Sequence, residues 1–260
     1  MSVLQSAVLG IVQGLTEFLP VSSSAHLVVI PKLAGWPDQG LAYDVALHWG
    51  TLFAVVLYFW KDLLAVAKDG LTRAETVERR LFDGLIIATI PGVIAGLAFG
   101  DLIETYFRSA DRVGISLAAF GILLGMADRF GKKERGVDTI SLKDCALIGL
   151  SQALAIIPGV SRSGITMTAA LFLGFKRVDA ARFSFLMSVP IIGGAGVLKF
   201  KDLLAGGVDG AFFIGVALSA LSGLLAIGGL LRYLQKASFT AFAVYRILWG
   251  GFLIWYAFGR

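Results

Sequence analysis

The residues of this chain that could do chemistry sit in two stretches, and the stretches are copies of each other. Residues 10 to 24 read GIVQGLTEFLPVSSS, and residues 149 to 163 read GLSQALAIIPGVSRS. With Gly10 set on Gly149, Gln13 falls on Gln152, Leu15 on Leu154, Val21 on Val160, Ser22 on Ser161 and Ser24 on Ser163. The copies part where chemistry would part: Glu17 stands against Ile156, Ser23 against Arg162 and His26 against Ile165. One copy therefore holds an acid, an imidazole and hydroxyls, and the other holds a guanidinium. Brought together in apolar surroundings, these groups suit a phosphorylated molecule.

Gln13 and Glu17 are four apart and share one helical face. An ionisable side chain in a membrane segment costs roughly 2.5–3.5 kcal/mol, which makes Glu17 a functional candidate. Its structural alternative is a carboxylate bonded to hydroxyls at a helix break. Ser22, Ser23 and Ser24 follow Pro20 and precede a fresh apolar run. Serines there cap a helix, and the exposed amides and positive dipole end of that helix attract anions. His26 lies one turn further on and is a candidate for proton transfer. In the second copy Ser161, Arg162, Ser163 and Gly164 open a helix in the same way. The fork of Arg162 suits phosphate, and an ion pair with Glu17 or Asp44 is its alternative. Thr166 and Thr168 read as packing residues or as bonds back to their own helix. Asp44 and His48, also four apart, could make a metal or proton site, but His48 reads as structural. No Cys/His zinc pattern, P-loop or dinucleotide fingerprint occurs.

The elements that must position these groups lie in a membrane. Hydrophobic residues make up 57% of the chain and charged residues 16%, against about 25% charge in a soluble domain; the mean hydropathy is +0.81. The stretches 84–100 and 210–231 carry no charge, and 45–60, 113–127, 183–198 and the tail from Ala237, broken by Arg246, are nearly as apolar. These lengths approach the roughly 17–25 residues that a spanning helix needs. The 32 glycines fit close helix packing in lipid. The lone Cys145 excludes an intrachain disulfide, and no cleavable signal peptide is expected. The net charge of +5 reflects loop lysines and arginines, not a nucleic-acid surface.

Those loop charges give a topology. Loops 61–80 and 128–144 are rich in Lys and Arg, and two spans separate them, so both are expected on the cytoplasmic side. Loop 101–112 is expected outside, Lys176, Arg177 and Arg182 inside, Lys199 and Lys201 outside, Arg232 and Lys236 inside, and Arg260 outside. The pattern closes if 145–175, interrupted at Pro158-Gly159 and Ser161–Gly164, leaves and returns on one side. Its twin at 3–31, broken around Pro20–Ser24, should do so from the opposite side. The repeat continues outside the breaks, since Phe59–Leu64 resembles Lys199–Leu204. The fold expected is an all-α polytopic membrane protein, with about six full spans and two re-entrant helix pairs. It forms one integral membrane domain over 1–260, an inverted-topology repeat with halves near 1–137 and 138–260. Such repeats put their special site between the halves, at broken helices.

Several segments are similar to one family. Gln13-x-x-x-Glu17 with Phe18–His26, Pro158–Gly164, Ala180–Pro190 and Tyr43–Gly50 resemble the motifs of the undecaprenyl-pyrophosphate phosphatases, the bacitracin-resistance proteins. The resemblance covers essentially the whole chain. It implies an undecaprenyl-diphosphate phosphatase that returns undecaprenyl phosphate to cell-wall synthesis in the bacterial cytoplasmic (inner) membrane. It implies a divalent cation, Mg²⁺ or Ca²⁺, with Gln13 and Glu17 as its ligands. Glu17, Ser23, His26 and Arg162 would be catalytic, and Ser22, Ser24, Ser161, Ser163 and Gly164 would bind substrate. The expected partners are undecaprenyl pyrophosphate and membrane lipid, not nucleic acid, with a homodimer left open. This chain departs from the usual pattern at Gln13, an admitted variant, at Ser24-Ala25 and at His48-Trp49. The residues leave three routes open: attack by Ser23 with His26 as base, attack by His26, or attack by water. A secondary transporter or lipid-carrier flippase is the alternative, because inverted repeats with broken helices also build transporters.

Overall fold

The computed structural model describes residues 1–37, 39–72, 75–198 and 209–259. Apart from short 3₁₀ turns and one isolated bridge between Arg135 and Phe175, its regular structure is α-helical. The helices are α1 (Val3–Phe18), α2 (Ser23–Ala34), α3 (Leu41–Tyr58), α4 (Trp60–Gly70), α5 (Val77–Tyr106), α6 (Ala110–Phe130), α7 (Leu142–Gln152), α8 (Arg162–Phe172), α9 (Arg177–Leu198), α10 (Gly210–Leu234) and α11 (Thr240–Phe258). Five of them, α5, α6, α9, α10 and α11, are long and apolar enough to cross a membrane, and α3 with α4 makes a sixth if that bent pair counts as one span. The chain is an all-α polytopic membrane protein.

The two breaks fall where the sequence puts them. A capping box of Ser2 and Gln5 starts α1, and Pro20 disfavours helix at Leu19 just before it. α2 restarts at the Ser22 cap. In the second copy Ser141 and Asp144 box the start of α7, Pro158-Gly159 interrupts, and Ser161 caps α8.

Contacts among the loops sort the ends of the helices. Arg182 pairs with Asp62, Arg80 reaches the Asp138 carbonyl, and Arg135 joins Asp144 to the Leu173 carbonyl. Asp128 holds both Arg177 and the Phe239 amide. The basic loops that the charge count put on one side thus share one face, and α7 begins and α8 ends there. At the other end Arg108 faces Asp44, Lys32 reaches the Arg108 carbonyl and Ser6 meets Tyr43. There α1 begins and α2 ends, so the two broken pairs come in from opposite faces.

Each short first arm leans on a long span of the other half. α1 packs on α10, α7 packs on α5, and α6 packs on α11. Equivalent glycines allow this. A Cβ on Gly10 would lie 2.3 Å from the Gly215 carbonyl oxygen, and one on Gly149 would lie 2.6 Å from the Ala88 Cα.

Residues 61–80 are not the plain loop that the charge count implies. α3 turns by 80° into α4, which buries Val66 and keeps Lys61, Asp62, Lys68 and Asp69 on its polar side, as an interfacial helix does. The connection 101–112, expected outside, shrinks to 107–109, because α5 and α6 run on into it. Residues 199–204, with Lys199, Lys201 and the match to Phe59–Leu64, lie outside the described residues, as do Arg73 and Arg260.

Candidate active site

The breaks of the two pairs meet inside the protein. Ser22 and Ser161, the aligned serines, have φ of 73° and 70°. Positive φ is rare in a residue with a Cβ and costs on the order of 1–3 kcal/mol. Each serine then caps the following helix, Ser22 from the Ala25 amide at 3.4 Å and Ser161 from the Gly164 amide at 3.1 Å. Each also meets the hydroxyl two residues on, Ser24 at 3.2 Å and Ser163 at 3.3 Å. The repeat therefore holds at the level of backbone angles and hydrogen bonds, and it aims two helix N-termini into one region.

Glu17 is the meeting point. Its Oε1 accepts from the Arg162 guanidinium at 2.6 Å. Its Oε2 accepts from Ser23 Oγ at 2.6 Å and from Gln13 Nε2 at 3.0 Å. His48 Nε2 lies 3.3 Å from the same oxygen. Arg162 also donates to the Ser184 carbonyl at 2.9 Å, which anchors it on α9. The pair Arg162–Glu17 is one of the two pairs weighed from sequence, and it joins the copies across 145 residues of chain. Ser163 Oγ adds a bond to the Leu19 carbonyl at 3.3 Å. Glu17 is buried, as are Gln13, Ser22, Ser161 and Ser163, while Ser23, Ser24 and Arg162 are half-buried.

The two histidines are set differently. Both nitrogens of His48 face acceptors: Nδ1 lies 2.6 Å from the Asp44 carbonyl and Nε2 faces Glu17. His48, read from sequence as structural, therefore contacts the Glu17 carboxylate.

His26 Nδ1 lies 2.7 Å from the Ser22 carbonyl and its Nε2 lies 2.6 Å from Tyr245 Oη. Neither nitrogen bonds Ser23. The structure gives the Ser23 hydroxyl to Glu17, so the sequence-based pairing of Ser23 with His26 is not made. His26 points away because its ring covers the Ser22 carbonyl and lies parallel to Tyr245 and Trp249. Thr166 and Thr168 bond back to the Arg162 and Gly164 carbonyls of their own helix, as expected.

Sequence reading missed Arg246. It is fully buried on α11 and donates to the carbonyls of Pro20 at 3.3 Å, Gly159 at 2.9 Å, Val160 at 2.7 Å and Leu117 at 3.3 Å. Freed carbonyls at membrane depth must find donors inside the protein, and Arg246 serves both breaks at once. A Cβ on Gly164 would come within 2.4 Å of its Nη1, which accounts for glycine there. The signal was available: Arg246 interrupts an apolar tail, and the same observation singled out Glu17.

A divalent cation has a partial fit. Gln13 Oε1 is buried without a hydrogen-bond partner, beside the Glu17 carboxylate. A spare oxygen next to a carboxylate suits a hard cation. Among the described residues no three His, Cys, Asp or Glu side chains gather around one point, so phosphate oxygens would have to complete the shell.

Comparison with known proteins establishes the chain's kinship. Residues 6–252 match the family described as bacitracin resistance protein BacA. The chain is 53% identical to an undecaprenyl-diphosphatase of Moorella thermoacetica, over 98% of this chain and 97% of that one. It is 52% identical to one of Pelotomaculum thermopropionicum, over 96% and 95% of the two chains. It is 47% identical to one of Geobacter sulfurreducens, over the full length of both. A match this complete leaves one conclusion about kinship: the chain belongs to the bacitracin resistance protein BacA family.

Proposed function

We propose that this chain hydrolyses undecaprenyl pyrophosphate to undecaprenyl phosphate and inorganic phosphate in the bacterial cytoplasmic membrane. It thereby recycles the lipid carrier of cell-wall synthesis and confers resistance to bacitracin. The observation that carries the reading is the chain of contacts Ser23–Glu17–Arg162. A hydroxyl, an acceptor for its proton and a guanidinium for phosphate stand together between two helix N-termini. The shared name of the relatives supports the substrate.

In this reading Arg162 and the first amides of α2 and α8 hold the terminal phosphoryl group and stabilise its charge in the transition state. Ser23 Oγ attacks phosphorus, and its proton passes to Glu17 Oε2. The bond from phosphorus to the bridging oxygen breaks, and undecaprenyl phosphate leaves with the electron pair. Water then attacks the phosphoserine, the bond from phosphorus to Ser23 Oγ breaks, Glu17 returns its proton to Ser23 Oγ, and inorganic phosphate leaves with the oxygen and protons of the water. Gln13 Oε1 and Glu17 are the residues that would hold Mg²⁺ or Ca²⁺, whose charge would offset that of the pyrophosphate. The isoprenoid tail lies along apolar helix faces that remain exposed.

A transporter or flippase would draw on the same architecture. Transport needs the guanidinium and the helix ends, but it has no use for a hydroxyl hydrogen-bonded to a buried acid. The test is phosphate release from undecaprenyl pyrophosphate by the purified protein in detergent, with and without EDTA. Release that EDTA suppresses is expected. No release under either condition would refute the phosphatase reading.

A further inference from the structure

His26 is the one strong candidate of the first copy that Glu17 does not gather, and its partners determine its tautomer. The Ser22 carbonyl can only accept, so Nδ1, at 2.7 Å, carries the hydrogen. Nε2 of the neutral ring then carries the lone pair, and the Tyr245 hydroxyl at 2.6 Å donates to it. Tyr245 lies 219 residues away on α11, directly before Arg246. The Tyr245 ring also lies parallel to the His26 ring, 5.9 Å between centroids, and Trp249 does the same at 6.1 Å. His26 is therefore held by both nitrogens and by two aromatic rings.

The second copy shows what this adds. There Ile165 stands at the histidine position, and its amide bonds the Ser161 carbonyl at 2.9 Å. In the first copy the same backbone bond, from the His26 amide to Ser22, stretches to 3.4 Å. The imidazole Nδ1–H has become the closer donor to that carbonyl. The ring is thus tied to the strained serine that shapes the start of α2, and Tyr245 closes the other end of the chain.

We propose that Tyr245 is a positioning residue of this phosphatase. Its hydroxyl fixes His26 in the tautomer with the proton on Nδ1, and through that ring it holds Ser22 and the N-terminus of α2 in the geometry that receives the phosphoryl group. The inference rests on the phosphatase reading above.

The test is Tyr245→Phe, which removes one oxygen and keeps the stacked ring. kcat should fall about 10-fold or more, toward the roughly 10- to 100-fold lost when the outer partner that orients a metal-bound histidine is removed. KM should stay within about twofold, and the midpoint of thermal unfolding should not move. Histidine-selective ¹⁵N spectra of the wild type provide a readout independent of turnover, because the chain has only two histidines. One of them should show a protonated Nδ1 and a hydrogen-bonded acceptor Nε2, and the Nε2 signal should shift in Tyr245→Phe. Unchanged kcat in a folded variant would overturn the proposal. A raised KM at constant kcat would overturn it too, because Tyr245 would then bind substrate directly. A wild-type ring with its proton on Nε2 would remove its basis. Wild-type protein that releases no phosphate would instead sink the phosphatase reading, and the spectra would still report on the tautomer.

Discussion

The broken segment at 19–24 and the one at 157–163 have nearly the same backbone and different work. Both turn through a serine at positive φ, both cap the next helix with it, and both link that serine to a hydroxyl two residues on. The first then adds Glu17, Ser23 and His26, and the second adds Arg162. The repeat provides two helix N-termini with the same serine caps, and divergence at three positions puts an acid, a hydroxyl and an imidazole on one side and a guanidinium on the other. The geometry is shared, while the chemistry lives in the residues that differ.

The comparison breaks most sharply at those residues. Glu17→Ala and Arg162→Ala are each expected to lower kcat by about 10²–10³ or more, the usual cost of losing one transition-state electrostatic contact, with the protein still folded in detergent. Turnover within a few-fold of wild type in either variant would remove that residue from the site.

Arg246→Met probes what the two segments hold in common. It leaves carbonyls at both breaks without their donor, and each unsatisfied buried group costs about 1–3 kcal/mol. A fall in the unfolding midpoint, larger than for any single capping variant, is expected by thermal denaturation in detergent. An unchanged midpoint would show that other donors satisfy the breaks.

The caps test equivalence more gently. Ser22→Ala and Ser161→Ala should each cost about 1 kcal/mol of stability, and by similar amounts. Ser22→Ala should cost more activity, because losing the cap loosens the backbone whose carbonyl anchors His26. Equal losses of activity would mean that the copies share the chemistry more evenly than their side chains imply.

The smallest effect concerns the cation. Gln13→Glu adds a carboxylate beside Glu17, so half-maximal activity should need less Mg²⁺ or Ca²⁺, or no more than in the wild type. A titration that needs more cation would count against Gln13 as a ligand.

Much of this was legible in the sequence. The spans follow from hydropathy, the breaks from Pro20 and Pro158 with their serines, and the joining of the copies from an acid in one and an arginine in the other. Those signals are local, or come from the repeat. What stayed hidden depends on partners far along the chain. His48 reaches Glu17 because α3 packs against α1, and spacing within α3 cannot report that. Tyr245 finds His26 across 219 residues, and an exposed tyrosine on an apolar helix carries no mark of its partner. The pairing expected between Ser23 and His26 rested on their closeness along one helix, whereas the side chains point to different elements. Arg246 had a signal, an isolated charge in an apolar tail, but four carbonyl partners cannot be read from one residue. The amphipathic α4 was masked by its charges, which made residues 61–80 look like a loop.

The division of labour between the segments turns on which atom attacks phosphorus. Rapid-quench trapping with undecaprenyl pyrophosphate labelled in its terminal phosphate, followed by peptide mapping and an acid-stability test, identifies that atom. An acid-stable phosphoserine at Ser23, with no label on Ser161 or Ser163, is the expected result. An acid-labile adduct on His26, or label on a serine of the second segment, would contradict it.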